Sequence, residues 1–140
     1  MKIAVSATAS SLDAMVDPRF GRCAYFIIVD VEKNEIKSSE SIQNPATTAI
    51  GGAGIQAAQL VASKGVEVLI SGNIGPNAFS VLSGTGIKIV TGVYGISVRD
   101  AIQRYMKGEL KETRAPTMPG FGPGRGSVGM GKGIGRGRRW

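Results

Sequence analysis

Seven consecutive residues, Asp17-Pro18-Arg19-Phe20-Gly21-Arg22-Cys23, bring together two guanidinium groups, a carboxylate and the only thiol in the chain. Arginine presents N–H donors in a fixed fork that suits an anion, and a thiolate is a soft metal ligand. Pro18 fixes one backbone angle and disfavours helix at Asp17, while Gly21 allows a conformation closed to other residues. The stretch therefore reads as a stiff, sharply turned loop. The run Ala24-Tyr25-Phe26-Ile27-Ile28-Val29 follows at once and ends in Asp30, which puts the loop at the lip of a buried strand. A rigid turn carrying forked cations suits holding an anion better than cutting a bond. Asp17 caps the turn or pairs with an arginine, and Phe20 reads as a core plug. Cys23 fits two roles, a small buried filler or one thiolate for a metal. Arg19 and Arg22 fit either anion contact or plain solvation.

Other chemistries find little material. With no histidine and one cysteine, the chain holds neither an intramolecular disulfide nor a Cys/His structural zinc site, so any metal has to arrive mostly ligated. Two-metal phosphodiester cleavage needs clustered carboxylates. The first apolar run has none, residues 51–64 have none, and Glu67 begins its strand away from the loops. No serine stands beside an evident base, so acyl transfer is equally unsupported, and no catalysis is expected.

The elements around the loop follow from periodicity. Lys2-Ile3-Ala4-Val5-Ser6-Ala7-Thr8 reads as a strand, and residues 9–21 show no helical period, so the strand from Cys23 to Asp30 is expected to run antiparallel to it. Lys33-Asn34 turns a hairpin into a polar edge strand, Glu35 to Ile42. From Gly51 the period becomes helical, with Ile55, Ala58, Val61 and Ala62 on one face and Gly65 as the stop. Val66 to Ile70 is a buried strand, Gly75-Pro76 opens a short helix carrying Phe79 and Leu82, and Ile87 to Val90 is another strand. Ser97 with Asp100 caps a third helix whose stripe is Val98, Ala101, Ile102, Tyr105 and Met106, ending at Gly108. Alternating strands and helices imply parallel pairing, so the sheet is mixed.

In such a sheet, ligands favour the crevice beyond the carboxyl ends of the parallel strands. Two glycine loops fall there, Ser71-Gly72-Asn73-Ile74-Gly75 and Thr91-Gly92-Val93-Tyr94-Gly95, with Ala7 to Ser11 beside them. Small residues would leave backbone N–H groups and two helix N-termini facing the crevice, or merely form tight turns. Gly52-Ala53-Gly54-Ile55-Gln56-Ala57 matches a dinucleotide-binding pattern, but Pro45 lies in the loop before it and the next strand ends at Ser71 without an acid for a ribose.

The 140 residues, 42% of them hydrophobic, suffice for one core, and no apolar run is long enough to cross a membrane; a soluble cytoplasmic protein is expected. The net charge of +7 is unevenly placed. Residues 1–114 carry 12 basic and 10 acidic side chains, whereas Arg125, Lys132, Arg136, Arg138 and Arg139 all lie beyond the last acid, Glu112. We therefore divide the chain into an α/β domain, residues 1–114, and a Gly/Arg-rich flexible tail, residues 115–140, with nine glycines and three prolines. Gly124-Arg125-Gly126 and Arg136-Gly137-Arg138-Arg139-Trp140 resemble segments that bind nucleic acid through phosphates and stacking, which makes a nucleic-acid accessory protein the alternative function. The tail could equally be a solvated extension, fold over the crevice to cover an anion, or dock on an acidic partner.

The seven-residue motif between the first two strands, with the glycine loops downstream, resembles the family of dinitrogenase iron-molybdenum cofactor biosynthesis proteins over about residues 1–110. The resemblance implies a single-domain, ribonuclease H-like three-layer fold with a mixed five-stranded sheet in the order 3-2-1-4-5 and three helices. It also implies a non-enzymatic carrier of an anionic metal-sulfur cluster or its precursor, of iron-molybdenum, molybdenum-copper or iron-sulfur type. Cluster-assembly or acceptor proteins would be its partners, and the chain would be a monomer or weak homodimer. A preassembled cluster brings its own sulfide, so such a carrier needs mainly positive charge, N–H donors and shelter. The expected binding set is Arg19, Phe20, Gly21, Arg22, Cys23, Gly72, Asn73, Gly75, Gly92 and Tyr94, with Cys23 as the metal ligand. Nitrogenase-assembly carriers commonly have a histidine before the Phe-Gly pair, and Arg19 stands there in this chain, which suits a stand-alone member.

Overall fold

The structure, a computed structural model, describes residues 1–48 and 52–117; the tail sequence from residue 118 onward lies outside the described residues. Strand β1 (Lys2–Ala7) runs through the middle of the sheet and is buried along nearly its whole length. Its two faces feed two separate cores, one containing Ala4 and the other Ile3, Val5 and Ala7. That is why the run carries apolar residues without strict alternation. Strand β2 (Tyr25–Glu32) pairs antiparallel with β1, and β3 (Glu35–Gln43) pairs antiparallel with β2 as an exposed outer strand. Lys33 and Asn34 both take left-handed backbone angles, φ 53° and 63°, the twist that a two-residue hairpin requires.

A short 3-10 turn, Pro45–Thr48, leads toward helix α1 (Ala53–Ser63). Its buried face is Ala53, Ala57, Ala58 and Val61, one step around from the expected stripe, because Ile55 turns out to border a cleft. Strand β4 (Val68–Ile70) pairs parallel with β1, helix α2 (Pro76–Gly84) follows, and β5 (Lys88–Val90) pairs parallel with β4. The order is β3-β2-β1-β4-β5, as the resemblance implies. Helix α3 (Val98–Met106) is capped as expected, the Ser97 hydroxyl accepting the Asp100 N–H at 3.1 Å. Helices α1 and α2 pack on the core with Phe20, Phe26 and Leu69, whereas α3 packs on the opposite core with Ile27, Val29 and Ile70. The chain after β4 therefore leaves toward one face, and the chain after β5 toward the other.

Two segments without regular structure finish the architecture. Residues 8–22 fold back along β1 through isolated bridges, Ala7 to Val16, Met15 to Ser97 and Arg19 to Asn73. At the other margin, the Thr113 N–H donates to the Ile89 carbonyl at 2.6 Å and the Thr91 N–H donates to Thr113 Oγ1 at 3.0 Å, covering the open side of β5. Residue 117 is still held to the fold, since the Thr117 N–H donates to the Ile74 carbonyl at 2.7 Å.

The return loop lies so close to β4 that only glycine fits at residue 72: a Cβ there would stand 2.5 Å from Pro18 Cα and 2.8 Å from Tyr94 Cε1. Gly72→Ala should lower unfolding stability by at least about 1–3 kcal/mol, the usual cost of overpacking against backbone. Gly84→Ala, at the end of α2 with no heavy atom within 4 Å of its added carbon, should raise it by about 0.4–1 kcal/mol. Denaturant melts of the two variants check the contrast.

Candidate anion-binding cleft

The loop from Asp17 to Cys23 is organised by one carboxylate. The Asp17 side chain is 3% exposed, and its Oδ1 accepts the Arg19 backbone N–H at 2.9 Å and Arg19 Nε at 3.2 Å. Its Oδ2 takes Arg19 Nη2 at 3.1 Å. Asp17 thus makes the turn and pairs with the arginine at once, both of the roles expected for it. This pairing holds the Arg19 pKa above its ordinary value, so the group is a permanent cation. The guanidinium still reaches solvent, with 66% of the side chain exposed. Below it, the Ser6 hydroxyl donates to the Asp17 carbonyl at 2.7 Å, and Ser71 Oγ lies 2.8 Å from Ser6 Oγ, tying β1, the loop and the end of β4 together.

The loop is then fastened to β4. The Asn73 N–H donates to the Pro18 carbonyl at 2.7 Å and the Phe20 N–H to the Asn73 carbonyl at 3.3 Å. Buried Asn44 holds the far end: its Nδ2 donates to the Gly21 carbonyl at 3.2 Å and the Cys23 carbonyl at 2.9 Å, while Oδ1 accepts the Ala46 N–H at 3.0 Å. Phe20 is buried and its ring packs 5.3 Å from that of Phe26, the plug that was expected.

Between the loop and two helices lies a cleft of about 330 Å³. Its walls are Arg19-Phe20-Gly21, the start of α1 from Gly52 to Ile55, the start of α2 from Asn73 to Ala78, and Thr117. Among the described residues, neither the N-cap of α1 nor that of α2 makes a side-chain cap hydrogen bond, and neither helix has an acid in its first turn. Two helix N-termini without a capping side chain, each carrying a partial positive charge on its first-turn N–H groups, therefore border one small space beside a guanidinium. The match to a dinucleotide pattern has another explanation here. A Cβ on Gly21 would sit 3.0 Å from the Gly54 Cα and N, so glycine at 21 lets the loop meet the backbone of α1, while Gly54 faces the Ala78 Cβ of α2, 3.4 Å from where its own Cβ would stand.

The structure sorts the ten expected residues. Arg19, Phe20, Gly21, Asn73 and Gly75 line the cleft. Gly72 lies under Pro18 as a packing residue, and Arg22 turns aside, its Nη1 donating to the Thr47 carbonyl at 3.2 Å. Gly92 and Tyr94 lie behind Gly72 and outside the cleft: the Gly92 N–H and the Tyr94 hydroxyl both donate to the Gly72 carbonyl, at 2.8 and 3.3 Å. They are elsewhere because β5 sends its chain to the face that carries α3. The second helix N-terminus at the cleft is accordingly that of α1, not α3, whose first turn is filled by Ser97 and Asp100. The start of α2 stands at the cleft as the first glycine loop implies, whereas the start of α1, Asn77 and Thr117 have no place in the expected set, although the absence of a capping side chain at Gly52 is visible in the sequence.

Cys23 is fully buried, outside the cleft wall, and its thiol donates to the Phe20 carbonyl at 3.3 Å. Burial, with the nearby Asp17 charge adding to it, pushes the thiol pKa from 9.0 up to about 12. It sits as the apolar filler, not as a thiolate offered to a ligand. Among the described residues no group of three or more His, Cys, Asp or Glu side chains comes together, and no helix is long and apolar enough to cross a membrane.

The raised thiol pKa gives a pH dependence. The unfolded thiol ionises near 9 and the folded one near 12, so its contribution to stability is complete below pH 9 and is lost as pH climbs through that window. Stability of the native chain should fall above pH 9 more steeply than that of Cys23→Ala, and native Cys23 should resist iodoacetamide at pH 8 until the chain is unfolded. Rapid native alkylation would overturn this assignment.

Comparison with known proteins places this geometry among relatives. The family model described as dinitrogenase iron-molybdenum cofactor matches residues 1–108. An uncharacterized protein of Methanocaldococcus jannaschii is 38% identical over 112 residues, covering 80% of this chain and 91% of that one. The apo form of the orange protein from Desulfovibrio gigas superposes with a TM-score of 0.79 at 41% identity, over 84% of this chain and 96% of its own. A Thermotoga protein solved by NMR and assigned as a candidate NifB protein gives a TM-score of 0.68 at 37% identity, over 79% and 91%.

Proposed function

The chain belongs to the dinitrogenase iron-molybdenum cofactor family, and on that premise we propose that it is a non-enzymatic carrier of an anionic metal-sulfur cluster or precursor, held in the cleft between the Arg19 loop and the starts of α1 and α2. The observation that carries this reading is the convergence of two helix N-termini without capping side chains and one guanidinium on a single small cleft. A cluster that arrives with its sulfides needs no ligand set from the protein; it needs donors for those sulfides and a wall against water. The first-turn N–H groups of α1 and α2 supply the donors and Phe20 and Ile74 the apolar floor. Arg19 spends two of its five N–H groups on Asp17, which fixes its orientation, and three remain for an anion. Cys23 supports the loop from the core. That the orange protein was solved in an apo form fits a fold that takes and releases a ligand. Iron-molybdenum, molybdenum-copper and iron-sulfur species all share the required charge, and an assembly or acceptor protein would receive them.

The test is anaerobic loading with iron, molybdate or copper salts and sulfide, desalting, then metal analysis and visible absorption. Wild type should retain colour and metal. Arg19→Ala should bind at least tenfold more weakly and Cys23→Ser should keep its retention. Asn77→Asp adds a carboxylate to the first turn of α2 at the cleft, so it should stabilise the fold by about 0.3–1 kcal/mol while weakening binding. No retained metal, or equal retention in Arg19→Ala and Asn77→Asp, would refute the site.

A further inference from the structure

We propose that Thr117 is a direct contact for the bound anion, its hydroxyl proton donating into the cleft from an oxygen that Ile74 holds in place; the proposal rests on the anion-binding reading above and adds to it a residue from the segment after α3. Ile74 stands in the turn ahead of α2 and is only 1% exposed, so its backbone groups need partners inside the protein. Thr117 supplies both. Its N–H donates to the Ile74 carbonyl at 2.7 Å, and its Oγ1 accepts the Ile74 N–H at 3.0 Å. A hydroxyl has one proton to give and two lone pairs to offer. With one lone pair committed to Ile74, the oxygen is fixed at the cleft wall, and among the described residues its proton meets no acceptor. A hydroxyl that accepts one hydrogen bond is polarised to donate another more strongly, and an anion is the acceptor that gains most from it.

The two helix walls are unequal in side-chain donors. The α1 wall is Gly52, Ala53, Gly54 and Ile55, none of which carries one. Arg19, which bridges to Asn73, then Asn77 in the first turn of α2, and Thr117 on Ile74 all stand by the α2 wall. The load is thus met by side-chain donors on one side and by backbone N–H groups alone on the other. The segment behind Thr117 gives that contact a mechanical effect. Lys111, Glu112, Arg114, Ala115 and Pro116 are exposed, and Pro116 has no N–H to give. Among the described residues, 111–117 are therefore fastened to the fold by two threonines, Thr113 at Ile89 and Thr91, and Thr117 at Ile74. A segment with so few buried contacts opens locally with little free energy. A bond from Thr117 to the anion strengthens its outer attachment, and by linkage a segment held in place binds the anion more tightly.

The experiment titrates the full chain calorimetrically with molybdate and with tetrathiomolybdate, as wild type, Thr117→Ser and Thr117→Val. Oxygen is a stronger hydrogen-bond acceptor than sulfide, so loss of the hydroxyl in Thr117→Val should weaken molybdate binding at least about tenfold and tetrathiomolybdate binding only about threefold. Thr117→Ser, which keeps the hydroxyl, should bind both probes within about twofold of wild type. In the wild-type protein, saturating tetrathiomolybdate should slow amide hydrogen exchange at Thr117 severalfold. Equal weakening of the two probes in Thr117→Val, or none, makes Thr117 a wall and an anchor only and overturns the proposal. Unchanged exchange at Thr117 in the loaded wild type overturns it as well, even where Thr117→Val fails to fold. In either case weaker binding by Arg19→Ala leaves the cleft reading standing. A wild-type chain that binds neither probe overturns both.

Discussion

The buried carboxylate of Asp17 is the constraint on which the site depends. A carboxylate that is almost wholly withdrawn from water is costly unless its lone pairs are filled, and the groups that fill them are the backbone and guanidinium of Arg19, two residues on. That requirement sets the turn, the turn brings Pro18 over Gly72, and the contact with Asn73 then fixes the loop relative to the start of α2. One internal ion pair thereby decides where an outward-facing cation stands. Part of its charge is cancelled by Asp17, which leaves the helix ends as the larger share of the positive potential in the cleft.

A cleft of this character binds differently from a ligand set. Helix ends and guanidinium groups make no covalent bond to a metal, so the load can leave intact, with exchange governed by charge, shape and water exclusion. The surrounding structure agrees with that design. Gly21 lets the loop pack directly on the backbone of α1 at Gly54, which in turn faces the Ala78 methyl of α2, and the thiol of the loop is kept neutral inside the core. Stiff walls with donors already aimed lose little entropy when an anion arrives.

The order of elements was legible because local chemistry and global packing agree there. Lys33-Asn34 bends as its neighbours demand, Ser97 and Asp100 cap α3, and Gly65 ends α1 with φ of 71°. The seven-residue loop and the first glycine loop do meet, and their contact is what makes the cleft. What sequence reading could not supply is the face on which each connection lands. Gly72 and Gly92 look alike in the chain, yet β4 and β5 send their exits to opposite layers, and only one of the two loops shares the α1 side. Gly52 and Gly54 look like a nucleotide motif because a left-handed φ of 72° at the first and the close approach of Gly21 to the backbone of the second both favour glycine. The alternatives for Cys23 were also undecidable locally, since burial is set by α1 and Asn44, which lie far along the chain.

The segment carrying Thr113 and Thr117 has a temporal consequence. Ribosomes extend chains from the N-terminus, and four of the five strands, the Asp17 turn and both helix ends at the cleft are encoded before residue 85. The rim contributed by Thr117 arrives more than thirty residues later, after α3 has been made. During synthesis the pocket thus stands with one side open, and it gains the Thr117 boundary only after its other walls have been made.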